Sequence, residues 1–177
     1  MRIDELLDDP CRRKHAAMPE ADALTESDAL QETQLLDVRL DALRSSVWLL
    51  FDCRGALQIE MGNTAVIVAY GLRRFSWVAQ PRGRLTARTV VSSEPIVRGG
   101  LWSLSLGFVP SARLELEADA AEFFVGDVPG CDEAPPNYTE TDEPTIRAGV
   151  PSWTSTFESV HAVFFGPASS DSNRSAG

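Results

Sequence analysis

Membrane-length apolar runs, paired cysteines and catalytic signatures are all missing from this chain of 177 residues. A spanning helix needs roughly 18 or more consecutive apolar residues. The longest runs here, 47–51 and 65–70, have the length of strands. The opening MRIDELLDD carries carboxylates where a secretory signal has basic and then apolar residues, which predicts no export by that route. Cys11, Cys53 and Cys131 are odd in number and far apart, so they define no disulfide framework and fit a reducing, cytoplasmic setting.

The chain contains no Gly-x-Ser-x-Gly, no phosphate loop, no Gly-x-Gly-x-x-Gly and no His-Glu-x-x-His. Nucleotide and hydrolase chemistry thus lose their usual handles. A thiol nucleophile needs a neighbouring imidazole, and the candidates are Cys53 with His15 or His161. Cys53, however, ends an apolar stretch and reads as a small core residue. Zinc would draw on Cys11, His15, Cys53, Cys131 and His161, yet only Cys11 and His15 lie within a few residues of each other. No catalytic residue, cofactor or metal ligand is assigned, and the absence of chemistry favours a protein that is not an enzyme.

What is present is strand patterning. Trp102, Leu104, Leu106 and Phe108 share one parity, with Ser103, Ser105 and Gly107 on the other. After Pro110 the alternation resumes: Leu114, Leu116 and Ala118 against Arg113, Glu115, Glu117 and Asp119. Successive strand side chains face opposite ways, so this is a hairpin with one apolar face. Residues 47–53 are nearly all apolar and predict a central strand covered on both faces. Further strands are expected at 36–41, 57–61, 64–70, 72–78, 85–91 and 121–125, with Gly62-Asn63 as a hairpin turn and 92–100 as a loop. About eight strands with short connections predict a mainly β fold with α+β character at its ends. The architecture is an antiparallel sheet, closed as a sandwich or partial barrel. Val47, Leu49, Phe51, Val66, Val68, Trp102, Leu104, Leu106, Leu114, Leu116 and Phe123 are the expected core.

One domain fits the length. Residues 1–34 read as an N-terminal helical or mobile arm: Ile3, Leu6 and Leu7 give a short helix stopped by Pro10, and 18–34 has too little apolar surface to bury much. Residues 35–165 form the β-rich domain. Within it, 127–151 is a long acidic loop with five prolines and six carboxylates. Residues 153–165 fit a helix or a strand equally, and 166–177 read as a disordered tail.

The net charge of −10 is uneven: 1–34 and 111–177 are acidic, and 35–110 is basic. The basic middle places Arg73, Arg74, Arg82, Arg84, Arg88 and Arg98 beside Phe75 and Trp77. Arginine with aromatics can hold single-stranded nucleic acid. Here Arg73 and Arg74 fall on opposite faces and the chain as a whole repels polyanions, so nucleic acid is disfavoured. The acidic loop lacks the ordered alternation of a calcium-binding loop. Its carboxylates, Asp127, Asp132, Glu133, Glu140, Asp142 and Glu143, together with Tyr138, are the expected partner-binding residues. They suit electrostatic capture of a basic protein. The alternative is a small-molecule-binding or enzymatic β domain with its site under the 127–151 loop.

Residues 35–41 (LLDVRLD) with 47–51 (VWLLF), and 62–68 (GNTAVIV) with 71–75 (GLRRF), resemble the opening strands of small β-rich bacterial families. Residues 112–118 (ARLELEA) resemble their closing strand. Several such families are immunity proteins of polymorphic toxin systems, and many have no assigned function. The resemblance spans about residues 35–126 and transfers no site residues. It implies a cytosolic, non-catalytic module that inhibits another protein by binding it.

Overall fold

In a computed structural model, which describes residues 1–6 and 19–167, the chain is mainly β. Seven strands run in order: β1 (Gln34–Asp41), β2 (Ser46–Asp52), β3 (Thr64–Ala79), β4 (Arg88–Arg98), β5 (Leu101–Val109), β6 (Ala112–Asp127) and β7 (Glu158–Phe165). All pair antiparallel in one sheet of order β3-β2-β1-β4-β5-β6-β7. β3 also pairs with β6, so the sheet curls back on itself as a six-stranded barrel with β7 attached outside the ring. The ring is closed between β1 and β4 by only Gln34–Thr89 and Leu35–Arg88.

The long β3 and β6 belong to both halves of the barrel. They bend together, with a register shift between Leu72 and Arg74. Gly71 sits at the bend with φ +62, and a Cβ there would lie 2.4 Å from an Asp119 carboxylate oxygen. Glycine meets both demands, positive φ and close approach. The expected breaks between 64–70 and 72–78, and between 118 and 121, are therefore bends within continuous strands.

β2 is buried along its whole length, as its apolar run requires. Val47, Leu49 and Phe51 point into the barrel beside Trp102, Leu104, Leu106, Leu114, Leu116 and Phe123. Trp48 and Leu50 point outward into a second cluster with Val66, Val68 and Phe124. The whole expected core is buried. The outer cluster is covered by Ile3, Leu6, Val128, Cys131, Trp153 and Phe157. A short 3-10 turn, Ile3–Glu5, stands where a helix was expected, and Pro10 lies outside the described residues. The turn is tied to the far end of the chain: Ile3 N–H donates to Ser155 O (3.1 Å) and Asp4 N–H to Trp153 O (2.9 Å).

Two further expectations are corrected and one open reading is decided. Residues 57–61 are not a strand: Ile59 is buried, but Leu57 and Met61 are exposed, and alternation there reflects one anchor in a loop. Residues 92–100 are largely strand, because β4 is an edge beyond Ser93 and an edge tolerates Pro95. The 153–165 ambiguity resolves as an extended approach followed by β7.

The arm also buries more than its composition suggests. Ala21, Ala23, Leu24, Ala29 and Leu30 all enter the barrel core. Local turns bring them there: the Asp22 carboxylate accepts from Leu24 N–H (2.8 Å) and the Thr25 hydroxyl (2.7 Å). The arm then lies along β4, with Asp28 N–H donating to Ser93 O (2.7 Å) and Glu32 N–H to Val90 O (2.9 Å). Trp102, fully buried, donates its indole N–H to Leu24 O at 2.9 Å. Trp102→Phe removes that donor and strands the carbonyl. A stability loss of about 1–3 kcal/mol is expected from chemical denaturation, since an unsatisfied buried acceptor costs that much. An unchanged midpoint would show that the arm is not anchored by this bond. Of the expected tail, 166–177, residues 168–177 lie outside the described residues.

Candidate partner-binding face

The chain leaves β6 at Asp127 and returns in β7 at Glu158. The connecting strap is built from local hydrogen bonds and two anchors. Asn63, which pattern alone placed in a hairpin turn, is the first anchor. Its side-chain amide donates to Val128 O (3.1 Å) and Cys131 O (3.2 Å), and its oxygen accepts from Val128 N–H (2.9 Å). The Asp127 carboxylate in turn accepts from Asn63 N–H (3.1 Å).

The second anchor is Arg54. Its guanidinium is paired with Asp52 at 2.6 Å, and the two side chains are only 8% and 1% exposed. The same guanidinium donates to Glu133 O (3.0 Å) and Gly149 O (2.8 Å), so one ion pair grips the strap at both ends. Burial works against the Arg54 charge, but the hydrogen bonds and charge of Asp52 outweigh it and hold the pKa above the usual guanidinium value. Nothing in the sequence pattern marks this pair beyond opposite charges two residues apart at the end of an apolar strand.

Between the anchors, Asn137 closes a turn by accepting from Thr139 N–H (2.9 Å) and its hydroxyl (2.7 Å). A six-residue helix, α1 (Glu143–Ala148), follows; Asp142 caps it, and Ile146 is buried beneath it.

The seven expected partner-binding residues therefore separate. Asp127 holds Asn63, Asp142 caps α1, and Glu143 pairs with Arg147 at 2.8 Å. Asp132, Glu133 and Glu140 are exposed, and their carboxylates form no ion pair among the described residues. Tyr138 turns inward, half-buried, and burial raises its pKa, with the Asp52 charge adding to the effect. Asp127, Asp132 and Glu133 meet with Glu60 around one open depression of about 310 Å³. The basic residue lining it is Arg54, whose charge Asp52 already takes. Glu60 belongs to this group and was missed by sequence reasoning, because it lies far from the acidic loop in the chain.

Tyr138 lines a different cavity of about 370 Å³ beneath the strap, with Leu50, Ile146, Arg147 and Trp153. Its charged groups are already engaged: the Asp37 carboxylate accepts from the Trp153 indole (2.7 Å), and Arg147 is held by Glu143.

The other candidate groups do not converge. Cys53 is 3% exposed in the core, and burial, then the Asp52 charge, pushes its pKa far up, so no thiolate is available there. Burial also raises Cys131. Among the described residues, no three His, Cys, Asp or Glu side chains cluster as a metal site requires. Cys11 and His15 lie outside them. Of the basic segment, Arg73 pairs with Asp119 (2.8 Å) and Arg74 with Glu115 (3.0 Å). No described helix is long and apolar enough to cross a membrane.

No family model and no curated protein matches this chain. Among solved structures it is similar to an uncharacterized protein from Neisseria gonorrhoeae, at 10% identity and a TM-score of 0.39, over 52% of this chain and 90% of that one.

Proposed function

We propose that this protein is a non-catalytic, cytosolic protein-binding module, an immunity-like inhibitor of a basic partner. The observation that carries the proposal is the acidic depression. Four carboxylates, Asp127, Asp132, Glu133 and Glu60, line it, and the guanidinium among them is consumed by Asp52. The strap that presents three of them, Asp127, Asp132 and Glu133, is fixed at both ends, so little ordering entropy is lost on docking. Uncompensated charge on a rigid surface favours rapid, steered association with a patch of opposite sign. The small-molecule alternative has a cavity under the strap, but the charged groups there are already paired, and a ligand site needs free polar groups that converge.

Affinity capture with tagged protein, eluted by a salt gradient, tests this directly. One stoichiometric basic partner is expected, with an association rate that falls steeply with ionic strength. Asp132→Asn/Glu133→Gln keeps the strap anchors and should slow association severalfold while leaving stability unchanged. A partner that binds the double variant equally fast, or binds without salt dependence, would remove the acidic depression as the docking site.

A further inference from the structure

The barrel wall has an open window. β1 leaves β4 after Leu35, through a bulge between Leu35 and Asp37, and from Val38 onward it is paired only with β2. β3 beyond the bend is likewise paired only with β6. The two unpaired edges converge at the β1–β2 turn, where Leu72 N–H donates to Ser45 O (2.8 Å), and diverge toward residues 80–87.

The edge of β1 is open in a specific sense. The Val38 N–H is taken by the Asp37 carboxylate (2.8 Å) rather than by another strand. Backbone groups two residues apart point the same way in an antiparallel strand, so the polar groups of Val38 and Leu40 both face the window. Between the edges lies a cavity of about 450 Å³, walled by Val38 and Leu40 on one side and Phe75 and Trp77 on the other. Leu40 is 55% and Trp77 41% exposed, so the described residues leave this apolar lining uncovered.

The charge beside the slot is positive and unspent. Arg82 and Arg84 line an adjoining cavity that shares Trp77 and Arg88 with the first. Both are exposed and form no ion pair among the described residues. Arg88 donates to the neutral carbonyls of Pro110 (2.8 Å) and Gln80 (3.3 Å) and forms no ion pair among the described residues. The one acidic side chain at the slot, Asp37, is occupied by Trp153 and Val38.

We infer that this window takes an extended acidic peptide segment of a partner protein, which adds to β1 as a strand. Main-chain bonds to the Val38 carbonyl and to the N–H and carbonyl of Leu40 supply the pairing, and the Val38 N–H stays with Asp37. Alternate apolar side chains fill the space between Leu40 and Trp77, and Asp or Glu residues meet Arg82 and Arg84. This contact is separate from the acidic depression and opposite to it in the charge it selects.

The test pans a library of random displayed heptapeptides on the full chain, with Arg82→Glu/Arg84→Glu as the counter-selection. Both arginines are exposed loop residues, and an unchanged melting curve checks that the variant is folded. The enriched sequences are expected to alternate apolar residues with Asp or Glu. A synthetic consensus peptide should bind wild type at least about tenfold tighter than the variant, a difference of about 1.4 kcal/mol. It should also slow amide exchange at Leu40. Asp132→Asn/Glu133→Gln should leave this binding unchanged, so the window stands or falls apart from the acidic face. Absence of enrichment, a basic consensus, or protection along β7 instead of β1 would overturn the inference. So would oligothymidine binding in place of peptide, or a dimer of the chain alone that the arginine variant dissolves.

Discussion

Leu104→Asp is expected to abolish the cooperative unfolding transition, leaving a chain with no near-ultraviolet tryptophan signal. Leu104 is 1% exposed and sits opposite Leu116 in the β5–β6 register, facing the centre of the barrel. The substitution forfeits about 1.5–3 kcal/mol of apolar burial. It also places a carboxyl group where no described donor awaits it, which costs several kcal/mol more even when the group is neutral. Folded domains hold roughly 5–15 kcal/mol in total, so the two losses together exhaust much of the margin. Leu116→Asp should behave alike. Ser105→Asn is the control: it lies on the same strand with the opposite parity, paired across to Glu94 and Glu115 without adding a third carboxylate, and should shift stability by about 0.5 kcal/mol or less. A soluble, cooperatively melting Leu104→Asp variant would contradict the assignment of this hairpin to the core.

Arg54→Ala carries the second largest expected effect. Removing the guanidinium leaves Asp52, 1% exposed, with a buried charge held only by the backbone N–H of residue 54 (3.0 Å), and uncouples the strap at Glu133 and Gly149. Breaking one side of a buried pair costs about 3–5 kcal/mol. The Asp52→Asn/Arg54→Ala double variant should recover a substantial part, because much of the single-variant penalty is the stranded carboxylate rather than the pair itself. The two effects can be separated. Urea melts report the stability, while limited proteolysis reports the strap, which should become cleavable between residues 133 and 149 in both variants. If the strap stays resistant in both, Arg54 serves the core alone and Asn63 holds the strap.

Parity made the β5–β6 hairpin legible, because each side chain there lies in or out of one face, and an unbroken apolar run did the same for β2, which is covered on both. It failed where one strand serves two surroundings. β3 and β6 each change partners at mid-length, and the residues at the bend, Gly71 and the small side chains from Ala118 to Ala121, looked like ends. The arm was misread for another reason. Ala21, Ala23, Leu24, Ala29 and Leu30 are spent on the core, and a low count says nothing about where each one goes. In the candidate site, the acidic character of the strap was visible, but its division of labour was not. Asp127 and Asp142 are bonded to backbone amides, and that depends on Asn63 and on the helix cap rather than on composition.

The way the outer cluster is assembled constrains when the molecule can finish folding. Met1 O accepts from Phe157 N–H, and Ile3 and Asp4 donate to the segment just before β7, so contacts of the first residues wait for some of the last. β3 likewise cannot complete its ladder until β6 exists, with Thr64 opposite Gly126. Pairings this distant along the chain slow the search for the native topology, because loop closure must precede the contacts that reward it. During synthesis, Trp48, Leu50, Val66 and Val68 would therefore stay uncovered on the outer face until residues 153–157 emerge. That exposed interval is when the nascent chain is most open to capture by chaperones or to aggregation.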